Sequence, residues 1–188
     1  MTNRSTCDHI VIMRAKMKPA ILSKKERDRL RCRQEIFVAA ETLFKEKGLD
    51  MITMEEIAQK AEVAKGTLYN YFPGKSELIN NLLSSKIEDL LISLDNVASQ
   101  KDTDYIGVLK RSVTEIMMTF EREKEFFKAI CGLKNNNLNV DRRLLHKPIT
   151  DFLQRLIETG IQQDLIRQIN PSTQTTLLFS IVQGFSFR

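Results

Sequence analysis

The chain predicts an all-α fold that opens on a three-helix unit containing a helix–turn–helix. Three observations carry this expectation. Glycine and proline are scarce and tryptophan is absent, while 42% of the 188 residues are hydrophobic and 28% charged, a balance typical of helical globular proteins. Apolar residues recur at helical spacing beyond residue 22, and no stretch alternates as a strand would. The ends of these periodic stretches also carry helix start and stop chemistry.

Residues 1–22 lack a helical period and contain Pro19, which predicts a loosely ordered basic extension. Arg14 to Arg33 carries nine Lys/Arg against Glu26 and Asp28. Two readings stand for that stretch: a basic arm along DNA, or a solvated tail followed by the exposed face of the first helix. Ser23 with Glu26 forms a capping box, so the first helix is expected from Lys24 to about Lys47. It buries Ile36, Phe37, Ala40, Leu43 and Phe44 and stops at Gly48. Thr53 with Glu56 is a second capping box, and Met54, Ile57, Ala58 and Ala61 form the apolar face of a short second helix. Val63 lies in the turn. Leu68 and Phe72, four residues apart, give a third helix its buried stripe. Pro73-Gly74 breaks the chain, and a long fourth helix is expected from Lys75 to Ala98 with Leu83, Ile87, Leu90, Leu91 and Leu94 on one side. Further helices are expected near 103–121, 123–134, 141–163 and 171–186. A polar gap falls at Asn135–Asn137, and Asn170-Pro171 is a start signal.

Removing the core positions from the third helix leaves Lys65, Gly66, Thr67, Tyr69, Asn70 and Tyr71 facing outward. Each type suits nucleic acid. Lys65 brings charge to the first turn, and Gly66 lets a backbone come close. Thr67, Tyr69 and Tyr71 offer hydroxyls to phosphates, and Asn70 can donate and accept at a base edge. Lys75 adds a charge where the next helix presents its free N–H groups. Charge distribution agrees: residues 1–75 hold fifteen Lys/Arg against ten Asp/Glu, whereas residues 76–188 hold fourteen of each. The net charge of +5 therefore lies entirely in the part that carries the helix–turn–helix, as expected of a nucleic-acid-binding unit joined to a neutral one.

The segment Thr53–Lys75 resembles the signature of the TetR family of bacterial transcriptional regulators, close to T-x-x-x-I-A-x-x-A-G-V-S-K-G-T-L-Y-x-Y-F-x-S-K. The resemblance implies phosphate contacts from Thr53, Thr67, Tyr71 and Lys75, and base contacts from Lys65, Gly66 and Tyr69. It departs at Glu62, where the family usually has a turn glycine, and at Ala64, where it usually has a Ser or Thr cap. It further implies DNA binding over residues 23–80 and a helical ligand-binding and dimerisation bundle over residues 81–188.

Other functions find little support. Cys7, Cys32 and Cys131 form no metal-ligand spacing and no disulfide framework, which fits a reducing cytosol. His9 and His146 have no Cys or carboxylate at ligand spacing. No nucleophile elbow, phosphate loop or zincin motif occurs, so the expectation is no enzyme, no metal and no cofactor. The apolar run Ile10–Met13 is too short for a signal or a span, which predicts a cytoplasmic, nucleoid-associated protein without a membrane partner.

In the second half Met117, Phe120, Phe127 and Phe152 are the candidates for lining a hydrophobic pocket, the competing reading being plain core. Leu177, Leu178, Ile181, Val182 and Phe185 form a broad apolar stripe expected to pair with a second copy. The chain stops at Arg188, four residues after Gly184, so the final helix usual in the family is expected to be absent. The function expected is a homodimeric regulator that binds a double-stranded operator, a repressor relieved by a small hydrophobic ligand. Two alternatives stand beside it: a helical ligand- or protein-interaction module with weakened DNA binding, and a DNA binder governed by a protein partner.

Overall fold

A computed structural model describes residues 23–100, 104–132, 138–167 and 170–186. The extension expected over residues 1–22 and the gap at Asn135–Asn137 lie outside the described residues. Among those described there are eight helices and no strand: α1 (Lys24–Lys47), α2 (Met54–Lys60), α3 (Lys65–Tyr71), α4 (Lys75–Ala98), α5 (Tyr105–Arg122), α6 (Lys124–Gly132), α7 (Arg143–Gln162) and α8 (Pro171–Ser186). The chain divides into two compact units between Pro73 and Gly74.

In the first unit, helix limits follow the capping chemistry. Glu26 N–H donates to Ser23 Oγ at 3.3 Å, and Ser23 N–H donates to Glu26 Oε2 at 2.8 Å. Gly48 closes α1 with φ +82° while its N–H donates to Phe44 O. That conformation favours a residue without a Cβ. Ile36, Phe37, Ala40, Leu43 and Phe44 are buried, as their spacing requires, and α2 packs on both α1 and α3. Phe37 stacks on Phe72 with ring centroids 5.5 Å apart. Two exposed ion pairs, Lys47–Glu56 at 2.6 Å and Lys60–Glu46 at 3.3 Å, join α1 to α2. Exposed pairs contribute little to stability, so the apolar contacts hold this unit together.

In the second unit α4 packs against α5 and α7, and α8 against α7 and α5. Leu83, Ile87, Leu90 and Leu94 are buried, with Leu91 half-buried. Helix α5 starts at Tyr105 because the Asp104 carboxylate accepts from Gly107 N–H at 2.9 Å. Helix α7 begins two residues later than its periodicity suggests, because Asp141 Oδ1 takes the Arg143 N–H at 3.0 Å. Pro148 lies inside α7 as its sixth residue, past the first turn, so the bond its N–H would make to the carbonyl four residues back is missing there. Asn170 Oδ1 accepts from Ser172 N–H at 3.0 Å and opens α8 at Pro171.

The inward positions of α8 lie beside the stripe expected to pair with a second copy. Thr175 and Phe179 are the buried positions, Leu178 is half-buried and Leu177 is 59% exposed. The face one turn apart at 175 and 179 brings the Phe179 ring edge-on to Phe120 at 6.5 Å and to His146 at 5.3 Å. The side chains of Ile181, Val182 and Phe185 lie outside the described residues.

Candidate nucleic-acid interface

The turn between α2 and α3 is built by backbone hydrogen bonds that end α2. Val63 N–H reaches back to Ala58 O at 3.0 Å, and Glu62 N–H to Gln59 O at 3.2 Å. This paired closure needs a left-handed residue after the helix cap, and Glu62 supplies it with φ +55°. A side chain therefore sits in a conformation that glycine adopts at no steric cost. Ala64 precedes α3 in extended conformation and makes no side-chain cap bond. Both departures from the family signature thus have a structural counterpart.

Thr53 and Glu56 cap α2 as expected, with Glu56 N–H to Thr53 Oγ1 at 3.2 Å and Thr53 N–H to Glu56 Oε2 at 2.9 Å. Lys47 and Thr53 together hold the Glu56 carboxyl down to about 2, the Lys47 hydrogen bond being the largest cause. Thr53 itself is exposed.

On α3, Leu68 is fully buried and Phe72 nearly so, which anchors one side of the helix. Lys65, Gly66, Tyr69 and Asn70 are exposed, while Thr67 and Tyr71 are half-buried. A Cβ added to Gly66 would meet nothing within 4 Å, so the unit's own packing does not require a glycine there. Lys65, expected to bring its charge to the first turn of α3, is paired with Glu55 of α2. Its Nζ also lies 5.9 Å from the Tyr69 ring centroid. The Glu55 carboxyl titrates below its ordinary range, chiefly through the Lys65 hydrogen bond, and Lys65 correspondingly higher.

Tyr71 leans on α1. Burial, and then a hydrogen bond with the Cys32 thiol, push its phenol pKa up, and the Arg29 guanidinium lies 5.9 Å from its ring centroid. Arg29 is exposed, so α1 adds a cation to the surface that holds Tyr71. The basic stretch of Arg14–Arg33 pointed to this region, but residue spacing could not select Arg29 from it. Glu55 was invisible for a similar reason, since in the sequence it is one more acid in the first turn of α2. Lys75 opens α4 and belongs to the second unit, half-buried.

The pocket candidates separate. Phe120, Phe127 and Phe152 are buried, with Phe120 and Phe127 rings 4.7 Å apart. Met117 is 36% exposed, because α5 turns Val108, Ser112, Ile116 and Phe120 inward and leaves residue 117 off that face. Among the described residues no group of three His, Cys, Asp or Glu could hold a metal ion, and no helix is long and apolar enough to cross a membrane.

Comparison with known proteins places this geometry. The family profile described as bacterial regulatory proteins, tetR family, matches residues 36–82. The HTH-type transcriptional regulator YvdT of Bacillus subtilis, itself uncharacterized, is 26% identical over 162 residues, covering 82% of this chain and 80% of that protein. Among solved structures, the fatty acid degradation regulator FadR of Bacillus halodurans superposes with a TM-score of 0.71 at 20% identity, covering 82% of each chain. FadR of Bacillus subtilis, in complex with stearoyl-CoA, gives a TM-score of 0.68 at 19% identity over 82% of this chain and 84% of that one. The last two establish likeness of fold.

Proposed function

We propose that the chain, whose helix–turn–helix matches the tetR family of bacterial regulatory proteins over residues 36–82, is a DNA-binding transcriptional regulator of that family, a homodimeric repressor released from its operator by a small ligand. In this reading α3 lies in the major groove. Lys65, Gly66, Tyr69 and Asn70 face base edges, and Thr53, Thr67, Tyr71 and Lys75 hold phosphates, with Arg29 beside Tyr71. A dimer places a second α3 one helical turn away, because one short recognition helix spans too few base pairs for useful specificity.

The observation that carries the reading is the outward side of α3. It is a helix anchored by Leu68 whose exposed positions combine a glycine free of internal contacts with two aromatic or amide side chains. Nothing in the packing of the first unit calls for that set. The likeness of fold to a regulator crystallised with stearoyl-CoA supports a ligand-responsive second unit. A ligand acts by preferring the conformation that fits the operator poorly, and its effect equals its differential affinity for the two states.

Tyr69→Ala tests base reading. After an operator is selected from random DNA, the substitution should cost about 1–3 kcal/mol on that operator and distinctly less on unrelated DNA. Equal losses on both would mean that Tyr69 only positions the protein. Failure of the wild-type chain to enrich any sequence would favour the interaction-module alternative.

A further inference from the structure

The core of the second unit contains a carboxylate that packing does not explain. Glu88 of α4 is 4% exposed, and no donor among the described residues reaches its buried Oε1. Two more core side chains share this condition: Ser112 of α5, with no exposure, and Thr175 of α8, 3% exposed, each with a buried hydroxyl oxygen that has no partner among the described residues. Buried polar groups are nearly always hydrogen-bonded, and an uncompensated buried carboxylate is among the more destabilising features a core can hold.

Helices α4 and α8, which carry Glu88 and Thr175, each pack on α5, which carries Ser112. Contacts fix their levels. Lys86 pairs with Glu123 at 2.8 Å and Ser93 with Glu115 at 2.9 Å, so α4 and α5 run antiparallel and Glu88 falls level with the turn of Phe120. Phe179 meets Phe120, and Thr175 is one turn before Phe179 on α8. Ser112 is two turns before Phe120 on α5. Along the bundle axis Glu88 is level with Phe120, Ser112 is two turns (about 11 Å) from that level and Thr175 one turn (about 5 Å) from it. At the level of Glu88 the core is apolar: Phe120 is buried, and so are Phe127 and Phe179, whose rings meet it.

We propose that Glu88, with Ser112 and Thr175, forms the polar end of a ligand site in the second unit, and that the ligand is an apolar molecule bearing an ammonium group. The proposal rests on reading that unit as ligand-binding. A cationic N–H donor compensates the carboxylate charge and satisfies Oε1 at once, which a neutral hydroxyl does only in part. The phenyl side chains accommodate the apolar body, and the two hydroxyls accept from further donors on the ligand. An acyl or carboxylate head group at this place would meet the negative charge of Glu88.

The test uses three probes with one apolar body, phenylbutylamine, phenylbutanol and phenylbutyrate, titrated calorimetrically into the full chain at up to millimolar concentration. The amine should bind about tenfold or more tightly than the alcohol, and the acid most weakly. Glu88→Gln, nearly isosteric, should erase the preference for the amine while leaving the alcohol unchanged. Glu88→Met should also erase it, and should raise the melting temperature because it removes the unpaired charge. The proposal is overturned if the amine binds no better than the alcohol, if Glu88→Gln keeps the preference, if Glu88→Met lowers the melting temperature, or if no probe binds. Binding of the alcohol or acid without an amine preference would retain the ligand-binding reading and remove Glu88 from it. Operator binding by gel shift tests the DNA-binding role independently of all three probes.

Discussion

Glu62 and Glu56 show how much a single residue carries in the helix–turn–helix. Glu62 occupies a left-handed conformation at φ +55° in the turn, where a Cβ costs about 1–2 kcal/mol and glycine's extra chain entropy returns part of that difference. Glu62→Gly should therefore stabilise the chain by about 1 kcal/mol. Glu62→Ala, which keeps the Cβ, should not. Urea unfolding of the two variants distinguishes relief of the backbone from loss of the charge. Glu56 supplies a pH dependence. Its carboxyl is depressed in the fold, from an ordinary 4.5 to about 2, first by Lys47 and then by Thr53. A depressed acid stabilises the fold above its unfolded pKa and loses that contribution as pH falls through the folded one. The wild type should thus exceed Glu56→Gln in melting temperature at neutral pH, and the gap should shrink between about 4.5 and about 2. A gap that stays constant through this window would show that the Glu56 charge adds nothing.

Helix α3 is where element and function meet. Its seven residues make a helix too short to stand alone, so burial of Leu68 and the stacking of Phe72 on Phe37 hold it in place. The opposite side is then free to serve an outside partner. Gly66 tests this division. With open space around its Cβ position, Gly66→Ala should leave the melting temperature unchanged or raise it, since alanine favours a helix over glycine by up to about 1 kcal/mol. Operator affinity should fall nonetheless, as the added methyl meets the duplex. Unchanged affinity in a gel shift would mean that nothing approaches α3 at Gly66. The Lys65–Glu55 pair belongs to the same scale. It holds the lysine beside Tyr69, so in the proposed operator complex Lys65 first exchanges a weak surface ion pair.

At the scale of the whole molecule, assembly decides whether two recognition helices act together. Leu177 is 59% exposed on α8 while Thr175 and Phe179 of the same helix face inward, so an apolar side chain is left on the surface of the protomer. With Met118 at 60% and Leu165 at 53% exposure, the second unit has several such side chains, and exposed apolar groups that gather into a patch mark interfaces. In the proposed dimer α8 contributes to the two-fold contact. Leu177→Glu should shift sedimentation toward monomer and reduce operator binding much more than binding to unrelated DNA, because the second half-site is lost. A wild-type chain that sediments as a monomer at tens of micromolar would refute the dimer, since that is the order of a weak interface's dissociation constant.

Helix limits, the cores of α1 to α4 and four of the six outward positions on α3 (Lys65, Gly66, Tyr69 and Asn70) could be read from the chain, because they depend on local rules: the capping boxes at Ser23 and Thr53, the glycine at 48, and apolar residues three and four apart. The helix–turn–helix was legible for the same reason, all its parts lying within 23 consecutive residues. Tertiary structure decided what residues distant in sequence do to one another. It paired Lys65 with Glu55, set Tyr71 against Cys32 and Arg29, turned Thr175 and Phe179 inward, and left Met117 at the surface. It also buried Glu88, which as a charged residue beside an apolar stripe would be assigned to solvent. Burial depends on how several helices meet, and helical spacing within one of them does not contain that information.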